Sequence, residues 1–109
     1  MWQQIPETAA DALPVDAVLL DVREQDEWDA GHVPGAIHLP MSELADRLDD
    51  VPDASPVYVI CRTGGRSARV TQYLEANGWE AINVADGMFG WARAGRPMES
   101  AGGASPQVI

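Results

Sequence analysis

One cysteine, Cys61, is followed by a loop whose residue types suit anion chemistry. Glycines let main-chain N–H groups approach an anion closely, and arginines add fixed charge in a fork geometry that matches oxyanions. A thiolate held by N–H groups at a helix N-terminus has a lowered pKa, and the thiolate is the nucleophilic form. We therefore predict that Cys61 is a catalytic nucleophile and that the next six residues bind its substrate: Arg62, Thr63, Gly64, Gly65, Arg66 and Ser67.

The charge of the chain makes this loop distinctive. The net charge is −10, and every basic residue is an arginine. Residues 1–60 hold 13 acids and two arginines, whereas residues 61–109 hold four acids and five arginines, among them Arg62, Arg66 and Arg69. A strongly acidic chain is repelled by nucleic acid and by anionic membranes, so we expect neither as a partner. The small cationic spot beside Cys61 is instead expected to bind a small anion.

Composition excludes several other kinds of site. A single cysteine permits neither an internal disulfide nor a cysteine-rich zinc site, so we expect no metal and no cofactor. His32 and His38 lack convergent ligand spacing and are expected to support the fold. The chain shows neither a secretory signal nor an apolar run long enough for a membrane helix, so the expected compartment is the reducing cytoplasm.

Alternation of short apolar runs with helix-like segments predicts a single α/β domain. The predicted sheet is five-stranded, mostly parallel and flanked by helices on both faces. Its strands are expected at residues 3–5, 18–20, 36–39, 57–60 and 81–84, and helices at 7–12, 24–30, 42–48, 66–77 and 89–94. Residues 1–100 form the predicted domain, and residues 101–109 a flexible tail. Cys61 follows the strand at 57–60, at the sheet edge where α/β proteins build their sites.

Four segments in the same order resemble the rhodanese (sulfurtransferase) homology domain: residues 19–24, 31–40, the Cys61 loop and 91–97. The resemblance extends over residues 3–98. It implies a five-stranded parallel sheet and a cysteine that takes sulfane sulfur from a donor such as thiosulfate. The resulting Cys61 persulfide passes its sulfur to cyanide, a thiol or a protein acceptor. Arg62 and Arg66 are then expected to position the sulfonate end of the donor.

The resemblance also assigns roles to two residues at the end of a strand, and the chain departs from the family pattern at one position. Asp21 and Arg23 are expected to support the site from behind, Asp21 by accepting hydrogen bonds near the loop and Arg23 by pairing with an acid such as Glu27. Asp86 stands where the family usually has glycine. Its interpretation stays open between a left-handed turn that aspartate tolerates and a carboxylate that faces the loop.

Two other functions stay open at the level of sequence. One is a persulfide carrier or sulfur-sensing module whose acceptor is a protein partner. The other is an oxyanion enzyme of the phosphatase or arsenate-reductase type. Relatives with that second activity have five residues between the cysteine and the clamping arginine, whereas residues 62–65 are four. The smaller loop suits a sulfur atom better than a tetrahedral phosphate, so the resemblance favours sulfur transfer.

Overall fold

A computed structural model describes residues 4–109, which form one layer of parallel strands between two layers of helices. In this part of the chain the sheet has the order β1-β5-β4-β2-β3, and each neighbouring pair is parallel. This architecture confirms the predicted fold class. The strands are β1 (Glu7–Thr8), β2 (Leu19–Asp21), β3 (Ile37–His38), β4 (Val57–Ile60) and β5 (Ala81–Val84).

The central strand β4 shows how the sequence builds two cores. Successive side chains of a strand point to opposite faces of the sheet. Val57 and Val59 therefore belong to one apolar core, whereas Ile60 belongs to the other. Both faces are covered, which is why this strand is an almost continuous apolar run. The first core also contains Val70 and Leu74, and the second contains Met88 and Trp91.

Three α-helices accompany the sheet: α1 (Gln25–Ala30), α2 (Gly65–Ala76) and α3 (Gly87–Arg93). Helix α2 follows β4 and packs into the first core, whereas α3 follows β5 and packs into the second. The predicted helices at 24–30, 66–77 and 89–94 are confirmed to within two residues at each end. None of the helices described for residues 4–109 has the length and apolar character needed to cross a membrane.

The N-terminal elements differ from the prediction. The edge strand expected at residues 3–5 is wrong for its described part, since β1 lies further along the chain, and residue 3 lies outside the described residues. Strand β5 pairs with this later segment: Asn83 N–H donates to Pro6 O, and Ala85 N–H to Thr8 O, each at 2.9 Å. The helix expected at 7–12 is reduced to a 3-10 turn at Ala10–Ala12, because Glu7 and Thr8 are drawn into the sheet.

The helix predicted at residues 42–48 is also wrong. Two 3-10 segments, Met41–Glu43 and Ala45–Asp50, replace it. Arg47 interrupts the second with φ −127° and ψ 31°, and its guanidinium contacts Glu43 and Asp50 on either side. Ser42 lies at the start of the predicted helix, and its hydroxyl donates to the Glu24 carboxylate. The main-chain bonds here join residues three apart, as from Leu44 N–H to Met41 O at 3.3 Å, instead of the four of an α-helix.

The C-terminal segment lies against α1. The Gln107 N–H donates to the Ala30 carbonyl at 2.9 Å, and the Ala101 N–H to Asp29 O at 3.0 Å. Val108 packs against the second core. A Cβ added at Gly31 would lie 2.5 Å from the Gln107 carbonyl oxygen, so the backbones approach closely at this point. The flexibility expected for residues 101–109 stays a prediction, which these contacts make testable.

Candidate active site

The Cys61 thiol lies at the carboxyl end of β4, beneath the first turn of α2. Only 1% of the residue is exposed. Its Sγ accepts hydrogen bonds from Gly64 N–H at 3.1 Å, Ser67 N–H at 3.3 Å and the Ser67 hydroxyl at 3.2 Å. The predicted loop thus closes around one atom. Donors that converge on a single buried sulfur form a cradle for a monatomic anion.

The same contacts determine the acidity of the thiol. Burial alone raises the pKa of Cys61, because the charged form loses its hydration. Hydrogen bonds from the Ser67 hydroxyl and from the N–H groups of Ser67, Gly64 and Thr63 oppose this effect and outweigh it. The pKa of Cys61 is therefore lowered from its ordinary value. This favours the nucleophilic thiolate.

The two loop glycines have different roles. Gly64 has φ +100°, and a Cβ built on it would lie 2.0 Å from the Ala85 carbonyl oxygen. Gly65 begins α2, and a Cβ there would meet nothing within 4 Å. The backbone of Gly65 does not adopt a positive φ. Only Gly64 needs the left-handed conformation and the absence of a side chain.

Neighbouring elements hold the loop in place. The N–H of Met88 donates to Cys61 O at 2.8 Å, and the N–H of Phe89 donates to Arg62 O at 3.0 Å. The Asn83 amide donates to Gly64 O at 3.3 Å from within the sheet. None of these three residues was predicted from the sequence to support the loop. Asn83 carried a usable signal, since a polar residue inside an apolar strand needs a hydrogen-bond partner.

The predicted substrate-binding arginines lie in different surroundings. Arg62 and Thr63 are exposed at the outer side of the loop, and Arg62 makes no ion pair with any residue of 4–109. Arg66 is paired with Glu27, through Nη1 to Oε1 at 2.7 Å and Nη2 to Oε2 at 2.8 Å. This pair lowers the pKa of Glu27. This pair is not predictable from the sequence, because the two residues lie on different helices.

Arg23 takes a different partner from the one expected. Its guanidinium binds Asp21 at 2.7 Å, both side chains fully buried, and reaches only the main-chain carbonyl of Glu27. The expected pairing of Arg23 with an acid is therefore confirmed, but the acid is Asp21 and not Glu27. Asp21 accepts from Arg23 rather than from the described residues of the loop. Arg23 also donates to Gly31 O at 2.8 Å, so the pair anchors α1 at Glu27 and at the residue that follows its C-terminus.

The position of Asp86 is resolved by its contacts. The residue has φ −99°, and the left-handed conformation falls on Gly87 at φ +58°. The Asp86 carboxylate accepts the Ala10 N–H at 2.8 Å, so it ties the N-terminal turn to α3 instead of facing the loop. A Cβ added at Gly87 would lie 2.5 Å from Arg62 O, so the glycine here serves close packing against the loop.

The two histidines support α1. The His32 ring stacks on Trp28 at a centroid distance of 3.7 Å, and the His38 ring stacks on it at 4.6 Å. Each histidine also hydrogen-bonds a main-chain carbonyl, His32 that of Trp28 and His38 that of Arg23. Within residues 4–109 no group of three or more potential metal-ligating side chains occurs. The histidines thus hold the helix that carries Glu27.

Comparison with known families places this geometry in context. A family profile described as the rhodanese-like domain matches residues 6–94. The chain belongs to the rhodanese-like domain family. The matched segment contains β1 to β5 and the Cys61 loop, so the cradle is part of the rhodanese-like fold itself.

Individual relatives agree with this assignment. Thiosulfate sulfurtransferase GlpE of Actinobacillus succinogenes is 36% identical over 103 residues, which cover 93% of each chain. The putative sulfur carrier protein YrkF of Bacillus subtilis is 35% identical over 74 residues, 67% of this chain and 40% of that protein. The chain therefore spans less than half the length of YrkF. Among solved structures, a rhodanese-related protein from Thermoplasma volcanium has a TM-score of 0.79 and 29% identity, covering 85% of this chain and 96% of that one.

Proposed function

We propose that this rhodanese-like protein is a sulfurtransferase that carries sulfane sulfur on Cys61. The donor is thiosulfate or a similar small sulfur-containing anion, and the acceptor is cyanide, a thiol or a protein. The observation that carries the proposal is the set of donors on one sulfur: Gly64 N–H, Ser67 N–H and the Ser67 hydroxyl. The similarity of the chain to GlpE over nearly its whole length supports the same class of reaction.

The reaction takes two balanced steps. The Cys61 thiolate attacks the outer sulfur of thiosulfate, a new S–S bond forms, and the S–S bond of the donor breaks. Sulfite leaves with the electron pair. In the second step the acceptor attacks the terminal sulfur of the persulfide, and the Cys61 thiolate is the leaving group. The cradle stabilises negative charge on sulfur before and after each step, without a base that must gain or lose a proton.

The residues of the Cys61 loop have different roles in the proposed reaction. Gly64 and Ser67 hold the reacting sulfur, whereas Arg62, Thr63 and Gly65 are proposed to bind the oxygen-bearing end of the donor, together with Arg66 once it leaves the Glu27 carboxylate. Arg62 is the exposed cation among them. Asp21 and Arg23 act indirectly, by holding α1 beside the loop. A thiol that must stay reduced between turnovers also suits the reducing cytoplasm, which we propose as the compartment.

Intact mass spectrometry after incubation with thiosulfate tests the proposal. We expect a gain of one sulfur atom that cyanide reverses and that is absent from Cys61→Ala. A protein that gains no sulfur from thiosulfate or from an organic persulfide would contradict sulfur transfer. Phosphatase activity that depends on Cys61 would then support the oxyanion-enzyme alternative.

The similarity to YrkF favours a second candidate, a persulfide carrier. A carrier and a sulfurtransferase share the Cys61 persulfide and differ in the acceptor. Single-turnover and steady-state rates separate them: a carrier forms the persulfide quickly but releases its sulfur slowly to cyanide. Fast release to cyanide would argue against a dedicated protein acceptor.

A further inference from the structure

We propose that Glu27 is a specificity-determining residue, which restricts the use of doubly charged anions by withholding Arg66 from them. The proposal rests on the proposed function only in the choice of donor, since it concerns the charge of the anion that the loop accepts. It differs from the expectation that Arg62 and Arg66 act alike. In the structure one of these arginines is exposed and the other is already bound to a carboxylate.

The geometry of the pair is that of a closed two-point contact. Both terminal nitrogens of Arg66 donate to Glu27, at 2.7 and 2.8 Å. Parallel N–H···O bonds of this kind are among the strongest side-chain contacts. The Glu27 side chain is 14% exposed and that of Arg66 33%, so solvent screens the pair only in part.

Glu27 is held in place independently of Arg66. Its Oε1 also accepts the Glu24 N–H at 3.0 Å, at the first turn of α1. Arg23, fully buried, binds the carbonyls of Glu27 and Gly31 and so anchors the backbone of the same helix. The carboxylate therefore occupies its position before any ligand arrives. Arg66 must give up a preformed partner to bind an anion with the same two nitrogens.

Arg66 belongs to the electrostatic surroundings of the thiol. Its pKa is raised, first by the hydrogen bonds to Glu27 and to a smaller extent by the nearby charge of Cys61. The pKa of Glu27 is lowered, chiefly by Arg66, so the carboxylate stays charged at neutral pH. The pair thus contributes no net charge beside Cys61.

Charge arithmetic gives the consequence. A dianion such as thiosulfate is repelled by the Cys61 thiolate twice as strongly as a monoanion at the same distance. With Arg66 neutralised by Glu27, Arg62 is the remaining exposed cation next to the thiol in the described loop. Sulfur donors with one negative charge or none lose less binding affinity when Arg66 is neutralised by Glu27. Replacing Glu27 by a neutral residue frees the charge of Arg66 and strengthens dianion binding.

Sulfate, an unreactive dianion, is the probe for the first experiment. Amide chemical shifts of residues 62–67 are followed during titration of the wild-type protein and of Glu27→Gln, which keeps the shape of the side chain. We expect the dissociation constant to fall by about threefold or more in Glu27→Gln, and the gain to shrink in high salt. Asp26→Asn is the matched control, because it removes the same charge from an exposed position on the same helix.

Two further variants show whether Arg66 carries the effect. In Glu27→Gln combined with Arg66→Gln, the gain should fall to the level of Asp26→Asn. Glu27→Asp, which retracts the carboxylate, should give an intermediate gain, and it replaces Glu27→Gln if that variant does not fold. An unchanged sulfate affinity, or equal gains in Glu27→Gln and Asp26→Asn, would overturn the proposal.

Thiosulfate kinetics separate this inference from the proposed function. In Glu27→Gln we expect the thiosulfate KM to fall by about threefold while kcat stays near its original value, since the Cys61 donors are unchanged. A protein that binds sulfate as expected but forms no persulfide would refute sulfur transfer and leave the role of Glu27 standing. A persulfide-forming enzyme with an unaltered KM in Glu27→Gln would refute the role of Glu27 alone.

Discussion

The main-chain N–H of Met88 donates to the carbonyl of Cys61 at 2.8 Å, so the first turn of α3 is attached to the last residue before the active loop. Phe89 makes the equivalent contact with Arg62 O at 3.0 Å. These bonds use N–H groups that have no partner inside α3. The loop after β4 is therefore positioned by the element that follows β5, and the segments after two neighbouring strands build one site.

The Ser67 hydroxyl is expected to account for part of the thiol's acidity. Ser67→Ala removes one of the three hydrogen bonds to Sγ and leaves the one from the Ser67 N–H in place. The pKa of Cys61 should therefore rise. It can be measured from the pH dependence of the ultraviolet absorbance of the thiolate, with Cys61→Ala as the baseline. Thr63→Ala is the matched control, because it removes an exposed hydroxyl from the same loop but keeps its N–H.

The same pKa shift predicts a pH dependence of folding stability. The pKa of Cys61 is lower in the folded protein than in the unfolded chain, where it is about 8.5. The thiolate therefore stabilises the fold fully above the unfolded pKa, and this stabilisation is lost as the pH falls through the folded value. Urea unfolding across this pH range should show a smaller change in Ser67→Ala than in the wild-type protein. An identical change in both would contradict the role given to the hydroxyl.

Substitution of the two loop glycines by alanine should affect folding stability differently, with a loss at Gly64 and no loss at Gly65. Gly64→Ala places a Cβ 2.0 Å from the Ala85 carbonyl oxygen at φ +100°, so the loop must move. We expect a loss of about 1–3 kcal/mol in the free energy of unfolding and a raised pKa of Cys61. Gly65→Ala meets open space at a helix start and should leave stability unchanged or raise it by up to about 1 kcal/mol. Equal losses of unfolding free energy in the two variants would show that the close approach of Gly64 to Ala85 does not determine the stability of the loop.

The buried Asp21–Arg23 pair should matter more for stability than an exposed pair does. Asp21→Asn leaves the guanidinium of Arg23 in a fully buried position without its charged partner. The expected cost is about 3–5 kcal/mol in the free energy of unfolding, measured by urea titration. Glu43→Gln, which breaks the exposed contact with Arg47, is the control and should change stability little. A small cost at Asp21 would mean that water or another side chain replaces the carboxylate.

Local sequence signals predicted the parts of the fold that depend on neighbouring residues. Strands β4 and β5 were predicted at their observed bounds, because apolar and β-branched runs between turns are typical of buried strands. The loop between Cys61 and Ser67 was predicted from its glycines and arginines in the same way. Contacts between distant elements were not predictable. Glu27 meets Arg66 only because the fold brings the first turn of α1 within reach of the first turn of α2, and neither residue indicates this partner in the sequence.

The contact between Gly31 and the C-terminal segment provides the last prediction. Gly31 has an extended backbone that any residue adopts. A side chain is excluded there by a steric clash, because its Cβ would lie 2.5 Å from Gln107 O. Gly31→Ala should therefore displace the segment and lower the free energy of unfolding by about 1–3 kcal/mol. Gly102→Ala, whose Cβ meets nothing within 4 Å, is the control.

Truncation shows whether the C-terminal segment causes that cost. In a chain that lacks residues 105–109, Gly31→Ala should cost much less, because the Gln107 backbone is gone and the remaining close atom, Met98 Cε, ends a flexible side chain. Urea unfolding of the four proteins gives the coupling as a double-mutant cycle. An equal loss of unfolding free energy in the full and truncated chains would mean that residues 105–109 do not pack on Gly31. This is the result expected for a flexible tail. A strong coupling would mean that these residues form part of the folded domain and cover the end of α1.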